Sequence, residues 1–350
     1  MKTKRIIFFL LLPFICFGMY ALICIAYAKL TYFQPEEKIV LSNQSSVAPL
    51  TDSVFSALIW NIGYAGLGAE TDFFYDGGEM MCPPKSWTEK YLDGVDKVLR
   101  MNDCDFYLLQ EVDKDSKRSY GIDQTSFILK DKSLDRNFAI NYKVNYIPMP
   151  WTKPMGSVLG GLMTLSKYPA NQSIRLQLPG EFGFPKQLFF LRRCLLVNRY
   201  KLHNGHEFVL VNVHNSAYDE TGKLKKAEMQ YLKSMLEHEY SLGNYIAVGG
   251  DWNQCPPGFA YDSLSKGKEG DYMQTNVDSN FIAGWQWVAD RSFATNRKNN
   301  KAYDPVTTFT TLIDFFLLSP NISVQNIRGI PTEFAYSDHQ PVRLDFKLIQ

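Results

Sequence analysis

Carboxylates, amides and imidazoles recur along this chain beside short apolar runs: Asn61, Glu111, Asn212, His214, Asp251, Asn253, Asp314, Asp338 and His339. Burying such groups unpaired next to a core is expensive, so each needs a partner or a task. Glu111, Asp251, Asp314 and Asp338 supply hard oxygen ligands. They suit Mg²⁺, with Mn²⁺ as a substitute, an ion that keeps several of its waters. A hard cation flanked by amide and imidazole donors fits hydrolysis of a phosphate ester. The cation screens the phosphoryl oxygens, and the donors stabilise charge that builds in the transition state. Other machinery is missing from the sequence: there is no HExxH, no Walker loop and no GxSxG. None of the six cysteines stands in a CxxC pair, which argues against a zinc cluster.

The elements that must position these groups read as strands. Run 54–60 precedes Asn61, run 105–110 precedes Glu111, and run 207–213 contains Asn212 and ends at His214. Run 245–250 precedes Asp251, run 307–318 carries Asp314, and run 342–348 follows Ser337-Asp338-His339. Runs 159–166 and 193–202 are further strands. Residues 87–101 and 222–240 carry apolar side chains at helical spacing. The stretch 256–304 is polar and irregular and reads as mostly loop. No repeat is visible and no linker divides residues 51–350, so one α/β domain with sheets sandwiched between helices is the simplest packing. Polar residues just past strand ends are where α/β folds place their sites. Singly, Glu111 reads as a capped strand end, His214 as a core histidine and Asp251 as a turn residue. Asp314, between Ile313 and Phe315, is harder to bury without a purpose.

Leu109-Gln110-Glu111-Val112-Asp113, Asn212-Val213-His214, Gly250-Asp251-Trp252-Asn253 and Ser337-Asp338-His339 occur in this order. The ordered set resembles the motifs of the endonuclease/exonuclease/phosphatase superfamily, from about Ser53 to the C-terminus. The resemblance implies a four-layer αββα sandwich of two mixed sheets flanked by helices, with the site at one sheet edge. It implies Glu111 as the principal metal carboxylate, with Asn61 and Asp338 as supporting ligands, directly or through water. Asp251 and Asn253 would position the nucleophilic water and the phosphate. His339 would be the essential histidine, oriented by Asp314, and His214 and Asn212 would donate to the phosphoryl oxygens. The proton of the attacking water would go to Asp251 or His339. Arg192 or Arg193 matches the place of a phosphate-contacting arginine, or is an ordinary strand-flanking charge. Trp252 stands where the family often has Phe, and the segment after His214 lacks a phosphoinositide phosphatase signature. A tyrosine that some nuclease members use has no match near residues 159–166. Residues 113–124, with Lys117, Arg118 and Tyr120, read as a solvated loop, or as one lining the cleft.

Lys2, Lys4 and Arg5 precede an apolar run over 6–28, long enough to cross a bilayer. Residues 1–28 are read as a membrane anchor or a cleaved signal, with the rest of the chain outside the cytosol. Residues 29–50 read as a tether and 51–350 as the catalytic domain. Lys+Arg number 37 and Asp+Glu 36, so no bulk positive field is available to hold nucleic acid. Cys82, Cys104, Cys194 and Cys255 are an even number in an oxidising space, open to pairing or to burial as thiols. His203, His206 and His238 read as surface residues. The expected activity is that of a membrane-tethered or secreted Mg²⁺-dependent phosphoesterase acting on phosphodiesters, lipid head groups above all. An extracellular nuclease and an inactive binding scaffold are the alternatives. The chain is read as a monomer that needs no protein partner.

Overall fold

Side-chain alternation along the strands decides which faces meet. The computed structural model describes residues 2–219, 221–265, 267 and 275–349, with side chains from Phe9 onward. One sheet has the order β1 (Lys38–Asn43), β6 (Gln172–Gln177), β7 (Cys194–Lys201), β8 (Glu207–His214), β9 (Tyr245–Asp251), β13 (Asp314–Leu318) and β10 (Gln286–Val288). The other has the order β14 (Ile322–Gly329), β15 (Val342–Leu348), β2 (Val54–Asn61), β3 (Phe106–Asp113), β5 (Gly156–Ser166) and β4 (Asp135–Ile147). Short strands β11 (Asn296–Arg297) and β12 (Thr310–Thr311) pair separately. The pairs β2–β3 and β8–β9 are parallel, whereas β9–β13 and β3–β5 are antiparallel, so both sheets are mixed.

Phe55, Ala57 and Ile59 of β2 and Phe106 and Leu108 of β3 meet Phe208, Leu210, Ala247, Phe316 and Leu318 of the facing sheet in one buried cluster. The alternate residues face outward. Leu58, Trp60, Tyr107 and Leu109 pack under Tyr91, Leu92, Val95 and Leu99 of α2 (Lys85–Met101). Val209, Val211, Ile246 and Val248 pack under Met229, Leu232 and Leu236 of α4 (Lys223–Ser241). The layers are therefore helix, sheet, sheet, helix. A single-turn helix, α3 (Gln124–Phe127), starts with the Asp123 side chain accepting from the Ser126 backbone N–H.

Helix α1 (Lys2–Leu30) contains a span, Phe9–Leu30, long and apolar enough to cross a membrane. Residues 29–50 depart from a free tether. Lys38–Asn43 forms β1, paired antiparallel with β6 at the edge of the seven-stranded sheet. The stretch 256–304 is mostly loop as expected, with β10 and β11 inside it, and 266 and 268–274 lie outside the described residues. No disulfide joins the six cysteines.

Candidate active site

Period-two alternation carries the site onto the inter-sheet face. Asn61 follows Phe55, Ala57 and Ile59; His214 follows Phe208, Leu210 and Asn212; Asp251 follows Ala247 and Gly249; Asp314 precedes Phe316 and Leu318. Register does the rest. His214 pairs with Asp251 across β8–β9, and Asp251 with Asp314 across β9–β13, so three strands end abreast. A Cβ on Gly250, at φ +143°, would lie 2.1 Å from the Val213 carbonyl oxygen, so only glycine lets these strands approach as they do. On β3 the pairing with β5 shifts register between Leu109 and Val112, and Glu111 takes φ +53° within that bulge. A bulge re-aims a side chain at a sheet rim. The loop before β15 is tied down by Trp60 Nε1 donating to the His339 carbonyl oxygen (2.9 Å) and Ser337 Oγ donating to that of Asn61 (2.8 Å).

These elements bring Asn61, Glu111, His214, Asp251, Asn253, Asp314, Asp338 and His339 to one edge of the sandwich. Asn61 Nδ2 donates to Asp251 Oδ2 (3.0 Å) and Glu111 Oε1 (3.2 Å), while its Oδ1 accepts from the Gly63 N–H. His214 Nε2 lies 3.4 Å from Asp251 Oδ2 and 3.8 Å from Glu111 Oε1. His339 Nδ1 is 2.8 Å from Asp314 Oδ2, and its Nε2 is 3.8 Å from Asp251 Oδ2. Asn253, at φ +49°, donates its backbone N–H to Asp251 Oδ1 (2.8 Å) and its Nδ2 to the Asn215 carbonyl oxygen (2.9 Å). Asp338 Oδ1 is within 3.3 Å of Ser337 Oγ.

Electrostatics separate the members. Burial pushes the Asp338 carboxyl up to about 7; His339 opposes this and Glu111 adds to it. Burial also raises Asp251, against the pull of His339. For His339 burial lowers the pKa, but Asp314 and Asp251 outweigh it and lift the imidazole to about 10. His214 goes the other way: burial, then Arg193, hold it well below the usual histidine range, so it is neutral.

A divalent cation fits this donor set. Asp251, Asp314 and His339 place ligand atoms within 4.8 Å of one another, but the Nδ1 of His339 and Oδ2 of Asp314 already share a hydrogen bond. Glu111 and Asp338 have more oxygen free to offer such a cation. Their only polar side-chain contacts among the described residues are Asn61 and the neutral His214 for Glu111, and Ser337 for Asp338. Asn61 presents N–H rather than its carbonyl oxygen, so in this amide orientation it positions the carboxylates and does not ligate directly.

Several expectations need correction. Asn212 is fully buried between the sheets; its Nδ2 donates to the carbonyl oxygens of Leu109 and Met163 (both 3.1 Å) and its Oδ1 accepts from Gln110 Nε2 (2.7 Å). No N–H is left for a phosphoryl oxygen, and the amide ties the sheets together. Residues 113–124 are solvated only in part: Lys117 and Tyr120 are exposed, whereas Arg118 is buried, forks onto Asp113 (3.0 and 2.9 Å) and lies 3.7 Å from the Tyr64 ring centroid. Arg192 turns away, to Glu181 and Tyr32. Arg193 reaches the site: its Nη1 lies 3.4 Å from the His214 carbonyl oxygen, and Glu228, Glu111 and Asp251 oppose the fall in pKa that burial imposes on it. His203, His206 and His238 are exposed. Asn296 was not foreseen; its Nδ2 lies 3.0 Å from His339 Nε2. It sits in the two-residue strand β11, too short for periodicity to mark a residue as inward-facing.

The family model for the Endonuclease/Exonuclease/phosphatase family matches residues 59–339. No curated protein matches the chain in sequence. Among solved structures, the chain is similar to an endonuclease/exonuclease/phosphatase from Beutenbergia cavernae DSM 12333 (TM-score 0.56, 16% identity, 85% of this chain and 72% of that one). It is also similar to ANGEL2, a 2',3'-cyclic phosphatase (0.54, 15%, 88% and 99%). A third is D. rerio TDP2 complexed with single strand DNA product (0.52, 14%, 85% and 100%). Family members are metal-dependent phosphoesterases. The chain belongs to the endonuclease/exonuclease/phosphatase family.

Proposed function

We propose that this protein is a membrane-tethered, Mg²⁺-dependent phosphodiesterase that hydrolyses phosphodiesters of lipid head groups to a phosphomonoester and an alcohol. One observation carries the reading: carboxylates from β3, β9 and β13 and from the loop before β15 meet two histidines at one sandwich edge. Glu111 and Asp338 would hold the cation, which when bound neutralises charge on the phosphoryl oxygens. Asn61 spaces Glu111 and Asp251 through its two N–H contacts.

Asp251 is the better base. Its pKa is raised by burial, and the Asn253 backbone N–H and Asn61 fix both its oxygens. His339, held protonated by Asp314, is the better donor to a non-bridging phosphoryl oxygen, and Arg193 is placed to assist it. Neutral His214 can donate through Nε2 without adding charge. The lipid reading is supported by the apolar helix α1, which runs directly into the sheet through β1.

The test is a panel of sphingomyelin, phosphatidylinositol and plasmid DNA, each with Mg²⁺ or EDTA. Mg²⁺-dependent cleavage of a lipid, lost in His339→Ala, is expected. Cleavage of plasmid alone would replace the reading with that of a nuclease. No metal-dependent turnover of any substrate would leave a scaffold.

A further inference from the structure

Three chain segments converge beside the catalytic edge, and of their residues the mechanism above uses only Arg193, where loop 178–193 rejoins β7. Strand β4 ends at Ile147, opposite Gly156 of β5, beyond the last β3–β5 pair at Asp113 and Gly160. Loop 148–155 therefore projects past the edge that carries Glu111. Strand β6 ends at Gln177, opposite Cys194, and β7 pairs Leu196 with Asn212, so loop 178–193 projects past the end that carries His214. Strand β1 pairs Lys38 with Leu176, which brings the end of α1 to the same side.

Helix α1 docks on this rim. Tyr20, Cys24 and Ala28, four apart, share a face, and Cys24 and Ala28 are buried. Tyr20 Oη is 3.0 Å from Tyr146 Oη, and Phe17 meets Trp151 edge-on at 6.0 Å between ring centroids. Below that face, Tyr32 Oη donates to Glu181 (2.7 Å).

What the loops expose is unusual for a surface in water. Trp151 and Phe184 are each 65% exposed and Met149 46%. They are interleaved with exposed Lys153 and Lys186, the latter 4.0 Å from the Phe182 ring centroid. Aromatic and apolar tips beside lysines match the interfacial layer of a bilayer, where rings sit at head-group depth and ammonium groups meet phosphates.

We propose that loops 148–155 and 178–193 enter the bilayer leaflet from which α1 emerges, so that the catalytic edge opens onto the plane of lipid phosphates. Dimensions agree. From Phe17, level with Trp151, to Cys24 is a rise of about 10 Å, the depth to which interfacial segments embed. The remaining apolar helix, from Ile6 to Cys24, then measures about 28 Å, close to the ~30 Å hydrocarbon core. A helix that spanned the core with Leu30 at its boundary would instead hold Trp151 near mid-membrane. The docking stands on α1 and the two loops; only its link to turnover rests on the lipid reading above.

The full chain is reconstituted into phosphatidylcholine vesicles whose acyl chains carry bromine near the head group, and tryptophan emission is read. Quenching is expected, and Trp151→Phe is expected to remove most of it. Quenching that is unchanged by Trp151→Phe overturns the proposal. The paired Trp151→Ser/Phe184→Ser variant is then assayed on vesicle sphingomyelin and on soluble bis(p-nitrophenyl) phosphate. A fall of about tenfold on vesicles with the soluble rate kept supports interfacial docking, and the soluble rate certifies the fold. Where the wild type cleaves the lipid, equal vesicle rates in variant and wild type overturn it. Trp151-dependent quenching in a wild type that cleaves no lipid leaves the docking supported and removes the lipid substrate instead.

Discussion

Asp314 on β13 and Glu111 on β3 stand at the same edge of the sandwich, yet their surroundings differ. The Asp314 side chain is wholly buried and clamps His339 at 2.8 Å; the Glu111 side chain keeps 24% exposure and meets one amide and one neutral imidazole. The same contrast separates Asp251, with two fixed oxygens, from Asp338, whose charge burial and Glu111 disfavour. On the proposed reading, the seven-stranded sheet contributes Asp251 and Asp314, which protein hydrogen bonds hold and which, through Asp314, fix His339 for proton and phosphoryl contacts. The six-stranded sheet and the loop before β15 contribute Glu111 and Asp338, to which no cationic side chain is hydrogen-bonded among the described residues. A site divided in this way would take its cation on the side of Glu111 and Asp338.

The largest effect should come from His339, which the loop before β15 carries and Asp314 of the seven-stranded sheet fixes. His339→Ala is expected to lower kcat by about 10²–10⁴ while the protein still melts like wild type. Rates on bis(p-nitrophenyl) phosphate check this, and an unaltered kcat would remove His339 from the chemistry. Next comes the bridge between the halves. Asn212→Ala removes its three hydrogen bonds between the sheets, to the Leu109 and Met163 carbonyls and from Gln110, and should cost about 2–4 kcal/mol in a urea melt. A variant equally stable but slow would return Asn212 to the donor role.

Acidity should sharpen the contrast further. Asp338 titrates near 7 without a cation, above its ordinary 3.8, so the folded protein binds the extra proton and loses stability as pH rises from about 4 to 7. Mg²⁺ competes with that proton, so its affinity, followed by calorimetry, should strengthen from pH 6 to 8. Flat affinity would mean that Asp338 is not a ligand. The smallest effect belongs to the His339–Asp314 pair. Its folded pKa of about 10 exceeds the ordinary 6.5, so its contribution is complete below 6.5 and lost toward 10. In EDTA, the Tm gap between wild type and Asp314→Asn should therefore narrow from pH 6 to 10.

The sequence exposed the central strands and hid the edges. Runs such as 54–60 and 245–250 are buried on both faces and read as unbroken apolar strings. β1, β4, β10 and β14 escaped notice, and all four are sheet edges; the inner strand β6, next to edge strand β1, escaped as well. Each of the four edge strands is partly solvated, so its polar residues break the apolar signal, as in Lys143 and Asn145 of β4. The chemistry was legible where a polar residue ends a buried run, as at Asn61, His214 and Asp251. It misled at Asn212, which shares its face with His214 but lies one pair deeper, beneath the opposite sheet. Nothing in a linear pattern tells depth along a strand from the rim. Asn296 was illegible because only tertiary contact brings it to His339.

The division of labour is tested most directly by the Mg²⁺ dependence of bis(p-nitrophenyl) phosphate hydrolysis in Glu111→Gln and Asp314→Asn. Glu111→Gln should raise the Mg²⁺ concentration for half-maximal rate by about tenfold or more. Asp314→Asn should keep the wild-type midpoint and lower the plateau. If both substitutions move the midpoint alike, or neither does, the two carboxylates do not hold separate tasks and the site is not divided as described.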